Sequence, residues 1–344
     1  MKKFGQKLLG MLLAGAMLVS MLAACGTGSE AQTNDGASGE KDSGKKVIGL
    51  SISDMNNAYF VGMERGFREA AEAAGYELIV TNANSQLSKQ ISDIEDLINQ
   101  QVDMIMINAL DSGGMAEIHK KCKESGIPFM YVDRGAEGVD DVVFVETNNF
   151  EAGQKCAEYM VERLEERYGE PRGKLVLLEG VPSTSVSIDR GDGFMSVVEK
   201  YPGIEIVAKQ IGNFNQETSL DVMTNILQAQ PEIDGIFNYN DDNALGAAKA
   251  IDAAGRYYPV DDPKHIINIG IDGMYPALEA LRDGTMDLTY AQEPLEMGRM
   301  AIEFATRIFE GETDLAGHYY SPITKITAEN WDDENHWGII TNDN

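Results

Sequence analysis

From Val47 onward the chain alternates short apolar runs with longer stretches whose apolar residues recur every three or four positions. The first run, Val47-Ile48-Gly49-Leu50, is the kind that suits a strand buried on both faces. A polar patch, Ser53-Asp54-Met55-Asn56-Asn57, closes it, and Phe60, Met63, Phe67 and Ala71 then fall on one helical face. The same order repeats down the chain. It predicts strands over 47–52, 77–81, 104–108, 129–132, 142–145, 175–179, 204–210, 235–238, 266–269, 288–291 and 323–326. Helical runs fall between most of them, as at 86–100, 149–168, 218–229 and 293–310. Strictly alternating strands and helices mean parallel sheets covered on both faces. So many strands exceed one comfortable core, so the fold expected is α/β, with two similar doubly wound parallel-sheet lobes.

Chemistry enters at the strand ends. Successive strands lead into Ser53 and Asn57, Asn82 and Asn84, Asn108 and Asp111, Asp133 and Arg134, Asn213 and Phe214, Asn240 and Asp241, Asp272, and Gln292. Asn and Asp favour turns, so any single one reads as punctuation. Their recurrence, with an Arg, a Gln and the aromatics Tyr59 and Phe60 among them, points to a site. Ligands of open parallel sheets bind at the carboxyl ends of strands. Planar carboxylates, amides and guanidinium groups each suit adjacent hydroxyls, and an aromatic face suits the apolar face of a ring.

The net charge is −28, and no basic stripe offsets it, which argues against nucleic acid as a partner. The first 24 residues hold three lysines and no acid, followed from Leu8 to Leu22 by an apolar stretch. They read as a secretory signal. Its end, Leu22-Ala23-Ala24-Cys25, resembles the lipobox of bacterial lipoproteins, which implies a lipid on Cys25 and attachment to the outside of the cell membrane. Residues 25–46, rich in Gly, Ser, Thr, Asp and Glu, read as a flexible tether. Cys122 and Cys156 sit in helical patterns beside apolar neighbours, as separate core thiols or as a pair. The four histidines lack metal-ligand spacing, and no G-x-S-x-G or H-E-x-x-H occurs. Neither a metal nor a cofactor is expected. Trp331 and Trp337, in the tail, are expected to anchor packing.

The segments SISDMNNAYFVGMERG, YVDRG, STSVSIDRGDGF, GNFNQETSLDVMTNIL, NYNDDNALGA, IGIDG and YAQEP together resemble the periplasmic-binding-protein-like sugar-binding proteins of the ribose and galactose type, receptors of ABC importers. The resemblance implies a ligand cleft between two lobes joined by a three-strand hinge. Residues 47–146 plus 293–323 would form the N-terminal lobe, and 147–292 plus 324–344 the C-terminal one. It implies ligand contacts from Ser53, Asn57, Tyr59, Phe60, Asp133, Arg134, Phe214, Asn240, Asp272 and Gln292, with Asn108, Asn213 and Asp241 as further candidates. Tyr59 stands where the family usually has Phe. In SVSIDRGDGF, Ile188 falls where a ligand-binding Arg is expected and Arg190 on a structural one, so a charged donor would be lost, with Ser185, Ser187 and Asn213 as polar substitutes. The implied protein is a non-enzymatic monomer that captures a pentose, hexose, deoxy-sugar or sugar alcohol and delivers it to a membrane permease. The alternative is a sensor that presents the same ligand to a histidine kinase or chemoreceptor. A sugar-responsive repressor would need a helix-turn-helix where the signal and tether lie, and an enzyme acting through Asp133 and Asp272 has no motif behind it.

Overall fold

The computed structural model describes residues 44–342. In chain order their strands are β1 (Val47–Ile52), β2 (Glu77–Asn82), β3 (Met104–Ile107), β4 (Phe129–Val132), β5 (Val143–Thr147), β6 (Arg172–Glu179), β7 (Gly203–Ile211), β8 (Gly235–Asn238), β9 (Ile267–Asp272), β10 (Leu288–Gln292), β11 (Gly317–Ser321) and β12 (Ile323–Ile326). The helices are α1 (Ala58–Ala74), α2 (Leu87–Asn99), α3 (Ala116–Ser125), α4 (Asn149–Tyr168), α5 (Ser185–Val198), α6 (Gln216–Ala229), α7 (Asp241–Ala253), α8 (Tyr275–Arg282), α9 (Pro294–Phe309) and the single turn α10 (Trp337–Ile340).

The strands form two six-stranded sheets, β11-β5-β4-β3-β1-β2 and β12-β10-β9-β8-β6-β7. Every pairing is parallel except β10 with β12. This is the two-lobed α/β architecture read from the alternation. Strand pleating divides each core in two. In the first lobe Leu50, Met104 and Met106 face α1 and α9, while Ile105 and Ile107 face Ile94, Leu97 and Ile118 of α2 and α3. In the second, Leu175 and Leu177 join the α4 and α5 side, and Val176 and Leu178 the α6 and α7 side. The chain passes between the sheets after β5, after β10, and across Pro322 between β11 and β12.

One strand escaped the sequence reading. β11, Gly-His-Tyr-Tyr-Ser, forms the edge of the first sheet, with His318 and Tyr320 turned outward. Its polar, half-exposed pattern lacks the continuous apolar run that marks the others. The two cysteines are free and buried, Cys122 in the first lobe and Cys156 in the second. Burial pushes the thiol of Cys122 up to about 12, and that of Cys156 in the same direction. Both are therefore unreactive core groups. Cys25, the expected signal and all but the end of the tether lie outside the described residues.

Candidate functional site

The carboxyl ends of both sheets converge on one cavity of about 310 Å³. From the first lobe it is lined by Ser53, Asn57, Tyr59, Phe60, Asp133 and Arg134, and from the second by Arg190, Asn213, Phe214, Asn240, Asp272 and Gln292.

The first-lobe wall is built as a relay. β1 ends at Ser53, whose hydroxyl donates to Asn108 Oδ1 at 2.6 Å. Asn108 Nδ2 donates in turn to Asp133 Oδ2 at 2.8 Å, and the Tyr59 hydroxyl to Asp133 Oδ1 at 3.1 Å. Asp133 follows β4 with φ 60°, an unusual conformation for a residue other than glycine, and lies 2 % exposed. Asn57 caps α1 by accepting from the N–H of Tyr59, and this cap turns Tyr59 and Phe60 toward the cavity. The guanidinium of Arg134 sits between two rings, 5.0 Å from Phe60 and 5.4 Å from Phe214 of the other lobe. Its Nε is buried and makes no hydrogen bond, although it lies 3.5 Å from Asp133 Oδ2 as an ion pair. A buried donor left in that state is costly unless something in the cavity accepts from it.

The second-lobe wall centres on Asp272, which accepts from Gln292 Nε2 at 2.6 Å and Asn240 Nδ2 at 3.2 Å. Arg190 lies 3.9 Å from it, oriented by bonds to Asn149 Oδ1 (2.9 Å) and the Tyr239 carbonyl (2.5 Å). Gln292 Oε1 also accepts from Thr147 Oγ1 at 2.8 Å, which ties the ends of β5 and β10 together. Phe214 has φ 53°, and its ring covers Gly180 so closely that a Cβ there would stand 1.9 Å from it.

Three hydrogen bonds join the lobes across the mouth. Asn57 Nδ2 donates to Asp242 Oδ2 at 2.8 Å, the Ser112 N–H to the Ser183 carbonyl at 3.1 Å, and the Ser185 N–H to Ser112 Oγ at 3.2 Å. The cleft is closed. Asp133 and Asp272 stand against Arg134 and Arg190, and Asp54 and Asp242 also line the cavity, so its charge is acidic on balance. Burial raises both carboxyls, and the guanidinium groups partly restore them. Burial, and secondarily the Asp272 charge, pushes Asp242 up to about 7.

The structure corrects one expectation. Ile188 is 53 % exposed and lines a separate depression beside Asp111, Glu146 and His318, whereas Arg190 lines the cavity. Residues two apart on a helix point about 200° away from each other, so only one of this pair can face the cleft. The cationic donor is therefore kept, not lost. Asn108 and Asp241 stand a layer behind the lining. Asp241 accepts from the N–H groups of Gly273 (2.7 Å) and Met274 (3.0 Å) and from Thr289 Oγ1 (2.7 Å), so it braces the β9 loop. The sequence reading passed over Asp54, Asn56, Leu110, Val181, Val186 and Asp242 as lining residues. Asp242 had a signal, since it lies two positions after Asn240 in NYNDDNALGA; the apolar residues had none. Trp331 lies under Arg282, 5.5 Å from it, and Trp337 is wholly buried. Among the described residues no group of three or more His, Cys, Asp or Glu is placed to hold a metal ion, and no helix is long and apolar enough to cross a membrane.

Two α/β lobes, three chain crossings and a polar cavity between strand ends define a two-lobed α/β protein with a cleft between its lobes. Residues 48–313 match the periplasmic binding protein domain, and the chain belongs to that family. It is 35 % identical over 266 residues to the ribose import binding protein of Bacillus subtilis (strain 168), covering 77 % of this chain and 82 % of that one. It is 30 % identical over 326 residues to the xylitol-binding protein of Mycolicibacterium smegmatis, covering 94 % and 86 %. Among solved structures, an ABC transporter solute-binding protein of Actinobacillus succinogenes with bound D-allose superposes with a TM-score of 0.75 at 29 % identity, over 83 % of this chain and 99 % of that one. All three relatives are named for binding, none for catalysis.

Proposed function

We propose that the protein is an extracytoplasmic receptor that encloses one monosaccharide or sugar alcohol in the cleft and hands it to an ABC importer. The observation that carries this reading is the convergence, inside a closed cavity of about 310 Å³, of hydrogen-bonding side chains from both lobes with an aromatic ring from each. The volume lies at the small end for ligand sites. Asp133 and Asp272 are offset by Arg134 and Arg190, and the further Asp54 and Asp242 disfavour an anionic ligand, which suits a neutral one. Asp133 and Arg134 from one side, and Asp272, Arg190 and Asn240 from the other, would grip its hydroxyls. Phe60 and Phe214 would cover its C–H faces. The buried Nε of Arg134, which makes no hydrogen bond and meets Asp133 Oδ2 only at 3.5 Å, is a donor that a hydroxyl oxygen would satisfy.

Closure follows from the same layout. A ligand touching both walls binds the closed form better than the open one and shifts the population toward it. Residues 47–146 plus 293–323 would move against 147–292 plus 324–344 about the three crossings. Selectivity arises because a ligand lacking one hydroxyl leaves a buried partner unpaired, at about 1–3 kcal/mol. A lipid on Cys25 would keep the receptor at the membrane surface beside its permease, and the names of the relatives favour import over sensing. The test is a thermal-shift series with D-ribose, xylitol, D-allose and 2-deoxy-D-ribose. A ligand that binds only the folded state raises the melting point, with the logarithm of its concentration over Kd once the site is saturated. At least one neutral polyhydroxylated compound is expected to raise it. A shift produced only by charged compounds would overturn the assignment.

A further inference from the structure

We propose that Trp337 is a positioning residue for the cleft, one that holds a gripping element of each lobe from behind and so favours the closed arrangement. The inference rests on the cleft being the ligand site. Trp337 begins α10 and is 1 % exposed. Its indole N–H donates to the backbone carbonyl of Asp272 at 2.7 Å. Asp272 has φ 148°, a region that residues other than glycine rarely occupy and that persists only where the surroundings enforce it. The indole bond is one of those enforcing contacts, and it acts on the residue that centres the second-lobe wall.

The same indole meets the first lobe. It stands edge-on to Tyr59, with centroids 6.1 Å apart and planes at 81°, and Tyr59 is the residue whose hydroxyl holds Asp133. The ring lies against Gly62 of α1 closely enough that a Cβ there would come within 3.1 Å of it. A turn further on, Arg65 Nη1 of α1 donates to the Ile340 carbonyl at 3.3 Å, a second tie between α1 and the tail. One side chain therefore stands behind both Asp133 and Asp272. Opening the cleft slides α1 past the Asp272 loop, and Trp337 must then leave one of its two contacts. Its bond to Asp272 and the packing of α10 on α8 keep it with the second lobe, so the contact surrendered is the one with Tyr59 and Gly62.

The test compares Trp337→Phe, which keeps a ring and removes the donor, with Trp331→Phe as a tail control. Binding of D-ribose and xylitol is measured by calorimetry and stopped flow well below the melting temperature, and amide hydrogen exchange is followed without and with saturating sugar. Trp337→Phe is expected to weaken binding on the order of tenfold, mostly through faster dissociation. It should also speed exchange at 272–275 in both states and at 59–62 in the closed, sugar-bound state, one segment in each lobe. Trp331→Phe should do neither. Arg65→Ala, which leaves the core intact, should move both readouts the same way by less, and it decides the matter if Trp337→Phe fails to fold. A lower melting point with unchanged dissociation, or faster exchange confined to one lobe in the sugar-bound state, would overturn the proposal. If neither compound binds the wild type, the sugar reading fails for these probes, and unchanged exchange at 272–275 would still overturn the role of Trp337.

Discussion

The two walls of the cleft use the same parts and wire them differently. Each presents a buried aspartate beside an arginine and a phenylalanine. On the first-lobe wall, Asp133 is held by Tyr59 and by Asn108, which is itself held by Ser53. All of these partners belong to the first lobe, so the wall is a finished platform before any ligand arrives. On the second-lobe wall, Asp272 is held by Asn240 and by Gln292, and Gln292 reaches on to Thr147 at the end of β5. This grip is wired into the chain crossings. On the function proposed here, the difference implies that the first wall would set affinity for a hydroxyl pattern, whereas the second would set both affinity and the coupling of binding to closure.

The largest effects should come from removing either carboxylate. Asp133→Ala and Asp272→Ala are each expected to lower affinity for the best-binding compound of the sugar series by about 2–4 kcal/mol, because a buried charged contact is lost. Calorimetry on the two variants checks this, and unchanged affinity in both would refute the site. Gln292→Ala separates the walls. It should cost about 1–3 kcal/mol of affinity and also blunt the contraction that accompanies binding, whereas Asn108→Ala should weaken binding and leave the contraction intact. Scattering with and without sugar distinguishes them.

A pH series gives a further handle. Asp242 and Glu146 both have carboxyls pushed up to about 7, chiefly by burial. Their folded-state values lie above the unfolded ones, so the folded chain holds those protons more tightly, and stability falls as pH rises from about 4 to 7. His265, raised by Asp287 against the opposing effect of burial, acts in the same direction. The ligand-free protein should therefore melt lower at pH 8 than at pH 5.5, and Asp242→Asn should flatten the profile. The smallest change is expected from Tyr59→Phe, at about 0.5–1.5 kcal/mol. It frees one oxygen of Asp133 for a ligand hydroxyl, so D-ribose should gain on 2-deoxy-D-ribose. An unaltered ranking of the two would show that the tyrosine hydroxyl has no part in selection.

Much of the fold was legible because buried parallel strands read as continuous apolar runs, and β1, β4 and β8 could be placed within a residue or two. β11 was not, since an edge strand with one wet face carries no such run. The strand-end polar residues announced a site, but sequence spacing does not say which way a side chain turns. That is why Asn108 and Asp241, one layer back, stayed among the candidates beside Asp133 and Asn240. The exchange of roles between Ile188 and Arg190 has the same origin, a matter of helical phase. Trp337 was legible only as a packing residue, because its partners Tyr59 and Asp272 lie 278 and 65 positions away along the chain.

The central claim, that two walls close on one small carbohydrate, is tested most directly by X-ray scattering from the protein alone and with whichever of D-ribose, xylitol or D-allose raises its melting point. Closure predicts a smaller radius of gyration on saturation, with the bound profile matching the closed structure described above. A sugar that binds with no change in the profile, or one that expands it, would contradict the account.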